Sequence, residues 1–360
     1  MKKVAILTIT NSGMNFGNRL QNYALQEVLK DCGADVKTIR SVKSVKGSLF
    51  LSKVRKSLKD ITKCSKRRRI YRNFENTYID YDDLIRYENL NEYDFADRYD
   101  AFISGSDQVW NPNFHFNSDF EFAYFAPKEK RYSYAASIGV SSITDEQKPK
   151  FIENLKGMNR ISVREADSVD LVEGLIGIRP QVHVDPTMLL SPDKYRSIER
   201  KPDYDMPEKY MFVYFLGNIS DEYQAKIEKI ADEKLLKIIK FTETKGDPFY
   251  NIGPEHFLYL IDHADYICTD SFHGTVFSIL FNKQFAIFTR QDADVPMNSR
   301  IETLVDTFDV RDRLIGNMGD SYFNEIDYPK IEITLQEKMK DAYGYLMDIC
   351  DCRSHIAVWE

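Results

Sequence analysis

The chain has 360 residues, 43% of them hydrophobic and 29% charged, with 16 glycines and 12 prolines. That is apolar material for about two domains of roughly 150 residues each, and it excludes a disordered, collagen-like or low-complexity chain. The net charge of −7 conceals an asymmetry: residues 43–72 hold twelve Lys/Arg against one acid, Asp60, leaving 37 basic and 55 acidic residues elsewhere.

No stretch reaches the ~18 apolar residues of a membrane span. Residues 4–10 contain Thr8 and Thr10, and polar Asn11-Ser12-Gly13 follows without a small-residue cleavage site. They read as the buried first strand of a cytoplasmic protein rather than as a signal peptide. A turn at 11–17 leads into a helix at 18–32, with Leu20, Tyr23, Ala24, Val28 and Leu29 as its apolar stripe. Gly33 ends it, and 36–39 is the next strand. Within 43–72, Phe50, Leu51, Val54, Leu58 and Ile61 recur at helical spacing among Lys53, Arg55, Lys56, Lys59 and Lys63; Lys66-Arg67-Arg68-Arg69 follows. Such a basic amphipathic helix suits an anionic membrane surface, at the inner face of the plasma membrane for a cytoplasmic protein. The plainer alternative is a helix packed on its own domain with a solvated basic side. Nucleic acid is not an expected partner, because the patch is a single insertion in an otherwise acidic chain.

Strands follow at 101–104 and 132–136, a helix at 146–156, a strand at 161–163, a helix at 166–173 and a strand at 182–184. Residues 191–209, with Pro192, Pro202 and Pro207, read as a linker. The pattern then restarts. Strands at 210–216, 237–241, 266–269 and 285–288 alternate with helices at 221–234, 254–263, 275–281 and 300–308. An amphipathic helix at 334–348 closes the chain. This alternation argues for parallel sheets covered on both faces. The expected fold is α/β, with two facing Rossmann-like domains: 1–195, carrying the basic helical insertion at 43–72, and 205–330. A C-terminal helix and tail occupy 331–360. The five cysteines, an odd number in a long chain, imply no disulfide framework. Cys350-x-Cys352 lacks a second pair for zinc, and no metal site is expected.

Ligands in such sheets sit beyond the carboxyl ends of the strands, so residues there are the candidates for chemistry. Asn15, Gly17, Asn18 and Gln21 lie in a turn that opens a helix, where free N–H groups can hold an anion or a sugar oxygen; a helix cap at Asn18 is the plainer reading. No dinucleotide or P-loop fingerprint accompanies them. Ser106, Asp107, Gln108 and Trp110 combine hydrogen-bonding groups with an aromatic face, a composition suited to a sugar. Asp107 can also take a proton from an attacking hydroxyl. Ser271, His273, Gly274 and Thr275 leave a strand and open a helix, so the helix dipole favours an anion there, and His273 can move a proton near neutral pH. Arg164, Arg290 and Arg300 offer forks suited to carboxylate and phosphate.

At these positions the sequence resembles the polysaccharide pyruvyl transferase family, over roughly residues 3 to 308. The marks are 15–26, 104–112, Ile161-Ser162-Val163-Arg164-Glu165, Val184-Asp185-Pro186, and 270–274 with the helix after it. The segment 43–72 is not part of the pattern. The resemblance implies a GT-B-like fold of twin Rossmann domains, with the acceptor on the first and the donor on the second. It implies transfer of the pyruvyl group of phosphoenolpyruvate onto two hydroxyls of one sugar, in a cell-surface polysaccharide or its lipid-linked precursor, with release of phosphate and no cofactor. The family histidine carries over to His273, and one donor arginine to Arg164. Where the family commonly has a second arginine this chain has Ser271, so Arg290 or Arg300 is expected to supply that charge. His273 and Asp107 are then the acid and base. Two other readings stay open: a GT-B-type glycosyltransferase using a nucleotide sugar, and a non-catalytic membrane-associated scaffold.

Overall fold

Parallel strands bury both faces, so they read as apolar runs rather than alternations. The computed structural model describes residues 1–10, 13–42, 66–86, 94–114, 119–241, 246–290, 299–319 and 321–352. Its strands follow that rule: residues 4–7 and Tyr210–Tyr214 are buried throughout. In chain order the strands are β1 (Lys3–Leu7), β2 (Asp35–Thr38), β3 (Ser41–Val42), β4 (Ile85–Arg86), β5 (Ala101–Ser104), β6 (Arg131–Ser133), β7 (Ser162–Val163), β8 (Gln181–Val182), β9 (Tyr210–Tyr214), β10 (Lys237–Lys240), β11 (Tyr266–Thr269) and β12 (Gln284–Ile287). One four-stranded sheet has the order β2-β1-β5-β6 and the other β10-β9-β11-β12. Every pairing in them is parallel; Val4 lies opposite Val36 and Ala101, and Tyr266 opposite Met211 and Gln284. Single bridges from Tyr132 to Arg160 and from Ala136 to Val163 continue the first sheet toward the β7–β8 pair.

Helix α1 (Phe16–Asp31) starts two residues before the expected position. Asn15, not Asn18, is its cap, accepting from the Asn18 amide at 3.1 Å. Of the basic segment 43–72, residues 43–65 lie outside the described residues. The remainder opens α2 (Lys66–Tyr78), which packs into the protein. Arg67 is buried with its guanidinium over the rings of Phe241 (5.5 Å) and Tyr250 (5.0 Å), while Lys66, Arg68, Arg69 and Arg72 stay exposed. Within the expected linker at 191–209, Tyr195 is buried edge-on against Phe277, and its hydroxyl donates to the Thr187 carbonyl at 2.8 Å. Helix α3 (Phe272–Leu280) begins three residues early because the Ser271 hydroxyl caps it, accepting from the Gly274 amide at 3.4 Å. His273 therefore sits inside its first turn. Helix α4 (Tyr328–Cys350) is longer than the expected 334–348 and runs from the second half back to the first: the Tyr328 hydroxyl donates to the Lys283 carbonyl, and the Tyr345 hydroxyl to that of Ser133 at 2.9 Å.

The two halves share one hydrophobic core. Its centre is Phe16, the first residue of α1. The Phe16 ring stacks on Phe257 (5.0 Å) and Tyr71 (5.7 Å) and meets Phe241 (5.3 Å) and Tyr214 (5.7 Å). Rings from α1, α2, β9 and the helix Pro254–Asp262 thus join directly below the start of α1, and such pairs add ~0.5–1.5 kcal/mol each beyond their buried area.

Candidate active site

The carboxyl ends of both sheets open onto one cavity of about 180 Å³. Asn15, Asp107 and Gln108 line it from the first half; Leu216, Asp270, Ser271, Phe272, His273, Arg290, Arg300 and Ile301 line it from the second. Of the sequence candidates, Asn15, Asp107, Gln108, Ser271, His273, Arg290 and Arg300 therefore converge.

His273 is held between the halves. On one side its ring abuts Gly17, where any Cβ would overlap the ring, nearest Nδ1. On the other, Nε2 lies 3.8 Å from Asp185 Oδ1 and makes no hydrogen bond. Asp185 is itself fully engaged. Its Oδ2 accepts from Arg164 Nη1 (2.5 Å) and Ser106 Oγ (3.1 Å), and its Oδ1 from the amide (3.0 Å) and hydroxyl (2.7 Å) of Thr187. Burial raises the Asp185 carboxyl's proton affinity. His273, Arg164 and the Thr187 amide outweigh that and hold it well below the usual carboxylate range.

The second half supplies the cations. Arg290 donates from Nε to Asp270 at 3.3 Å, and Asp270 also accepts from the amides of Leu216 (2.7 Å) and Gly217 (2.8 Å). Arg300 stands 3.6 Å from Asp107, and burial together with neighbouring Arg164 lowers its pKa to about 10. With its amide oxygen turned toward Arg300, Gln108 accepts from both terminal nitrogens at 3.3 Å.

Several expected contacts are corrected. Arg164 does not line this cavity; its guanidinium lies behind Asp107, bonded to Asp185 and stacked 4.3 Å from the Phe272 ring. Trp110 is core, not a sugar platform. Its ring stacks on Phe122 at 4.6 Å, and its Nε1 donates to the Glu121 carbonyl at 3.2 Å. Gln21 and Ser106 are struts: Gln21 bonds Thr8 (2.9 Å) and the Ser106 amide (2.9 Å), and the Ser106 hydroxyl reaches the Ala135 carbonyl (2.8 Å). Asn18 is buried, accepting from Arg19 Nη1 at 3.4 Å. Gly274 packs against Thr269, and the Thr275 hydroxyl donates back to the Ser271 carbonyl at 3.1 Å. Asp185 and Asp270 received no role from the sequence. Their signal was a carboxylate directly after a parallel strand or strand-like run, but their partners come from distant segments. Among the described residues, one cluster of potential metal ligands, Glu199, Asp262 and His263, precedes β11, at the sheet end opposite the cavity. Arg196 already forks Asp262 at 2.8 and 3.1 Å.

Residues 15–292 match the family model of polysaccharide pyruvyl transferase. The chain belongs to that family. All the lining residues of this pyruvyl transferase family member except Arg300 and Ile301 fall within the matched span. No curated protein matches its sequence. In structure it resembles UDP-GlcNAc 2-epimerase from Neisseria meningitidis, solved bound to UDP-GlcNAc (TM-score 0.51, 13% identity, 97% of this chain and 99% of that one). It also resembles the UDP-GlcNAc 2-epimerase of Methanocaldococcus jannaschii (TM-score 0.52, 11% identity, 97% and 93%). These are GT-B fold enzymes, and the likeness establishes that fold for this chain. Among the described residues, no helix is long and apolar enough to cross a membrane.

Proposed function

We propose that the protein transfers the pyruvyl group of phosphoenolpyruvate onto two hydroxyls of one sugar in a cell-surface polysaccharide or its lipid-linked precursor. What supports this reading is the meeting of Arg290, Arg300, His273 and Asp107 in one small cavity of a chain from this family. Phosphoenolpyruvate is compact and multiply anionic, and two arginines at a capped helix start suit it. Arg300 supplies the charge that Ser271 does not. One sugar hydroxyl adds to C2 of the enolpyruvyl group, giving its proton to Asp107 as His273 protonates C3 to a methyl. The second hydroxyl then takes the place of phosphate at C2, and its proton leaves with phosphate. The first half presents the acceptor, through Asn15 and Gln108, and the second binds the donor. No cofactor enters this scheme.

Thermal melting with phosphoenolpyruvate and UDP in parallel tests it. A ligand at a hundred times its Kd adds about 2.7 kcal/mol to the folded state, a shift of a few degrees. The expected result is a shift with phosphoenolpyruvate that supports acceptor-dependent phosphate release, with release reduced about 10²–10⁴-fold in His273→Ala. A shift with UDP alone would replace this reading with a nucleotide-sugar transferase.

The proposal includes peripheral attachment at the inner face of the plasma membrane through the basic segment 43–72. The exposed Lys66, Arg68, Arg69 and Arg72 support it. Each basic residue near an anionic surface contributes ~1 kcal/mol. Changing these four to serine is expected to weaken co-sedimentation with phosphatidylserine vesicles at least tenfold; unchanged binding would remove α2 from the contact.

A further inference from the structure

We propose that Asp107 is the resident counterion of the anion site, and that an incoming donor must displace it from Arg300 before it can act as a base. The displacement stands on geometry alone; the ordering of the reaction rests on the pyruvyl-transfer reading.

Among the described residues, four carboxylates adjoin the arginines around this cavity, and they are held very differently; Glu165, 3.6 Å from Arg164, accepts from the hydroxyls of Ser137 and Ser168. Asp270 accepts two backbone amides and Arg290. Asp185 accepts from Arg164, Ser106 and Thr187. Asp107 has only two ion pairs, its Oδ1 standing 3.6 Å from Arg164 Nη2 and 3.6 Å from Arg300 Nη1. Both separations exceed hydrogen-bonding range. Arg164 Nη2 is buried and makes no hydrogen bond, so its charge is balanced there but its donor is not used. Burial, and after it the charge of Arg164, lowers the proton affinity of Arg300. Asp107 and Glu165 both stand beside these cations, and of the two Asp107 lines the cavity.

A phosphate or carboxylate oxygen at ordinary charge-assisted distance, ~2.8 Å, binds Arg300 better than a carboxylate held at 3.6 Å. Once it does, Asp107 faces an anion at Arg300 in place of a bare cation. Like charge raises a carboxylate's proton affinity. The same event therefore fills the donor site and favours proton uptake by Asp107. Asp107 then takes the proton of the hydroxyl that adds to C2. Donor binds first, and the acceptor meets an active base only afterwards.

Calorimetric titration with inorganic phosphate separates the two parts. In Asp107→Asn the phosphate Kd is expected to fall about tenfold, because a competing charge is gone, while transfer is lost. Asp107→Ser, smaller and uncharged, should tighten phosphate in the same direction if Asp107→Asn is poorly folded. Arg300→Gln should abolish phosphate binding in either background. Equal or weaker phosphate binding in both Asp107 variants, or no phosphate binding by any of the proteins, would overturn the counterion role. Tightening without any turnover of phosphoenolpyruvate by the native protein would keep the counterion and reject the pyruvyl-transfer reading. Turnover without tightening would do the reverse.

Discussion

Replacing Gly17 with alanine is expected to reduce transfer by at least 10²-fold, approaching the loss from removing His273 itself. The added methyl group would fall inside the imidazole ring, so the ring must leave its place beside Asp185. The helix itself has no objection. Gly17 is the second residue of α1, where alanine is favoured over glycine by up to ~1 kcal/mol. Against this stands an overpacking cost of ~1–3 kcal/mol. Stability should thus change little while activity collapses. Phosphate-release rates together with melting temperature check this; a variant with native rates would show that the ring's position does not matter.

Asp185→Asn is expected to destabilise the protein by about 3 kcal/mol, because it leaves the Arg164 guanidinium buried without its main partner. Asp107 and Glu165, each 3.6 Å from that guanidinium, keep the cost toward the lower end of the range for a broken buried pair. The pH dependence has a definite sign. The native carboxyl titrates far below its unfolded value, so its contribution is complete above the ordinary carboxylate range and is lost as pH falls below about 4. Native protein should therefore lose stability steeply in acid, and the asparagine variant less steeply. Denaturant melts at pH 7 and pH 3 measure both quantities; parallel pH profiles would show that Asp185 carries no such linkage.

Much of this arrangement was legible in the residues. Buried parallel strands announce themselves as apolar runs, and polar residues just beyond them pointed to Asp107, His273, Arg290 and Arg300. Three kinds of feature were not legible. Helix starts were displaced because Asn15 and Ser271, short polar side chains, each compete for the capping position with neighbours of the same chemistry. Trp110 has the composition of a sugar platform, and only its stacking on Phe122 shows that its face is already covered. Asp185 and Asp270 depend on partners about twenty to eighty residues away along the chain, which spacing alone does not bring together.

The ring cluster around Phe16 bears on how such a protein can be altered. Its members come from both halves, and the residue after Phe16 is the one that fits against His273. The seam is thus continuous with the wall of the cavity. Exchanging one half for that of a relative means transplanting a matched set of rings as well as a loop of polar side chains. Modularity in this architecture stops at the seam, because the rings that join the halves adjoin the residue that fixes the wall beside His273.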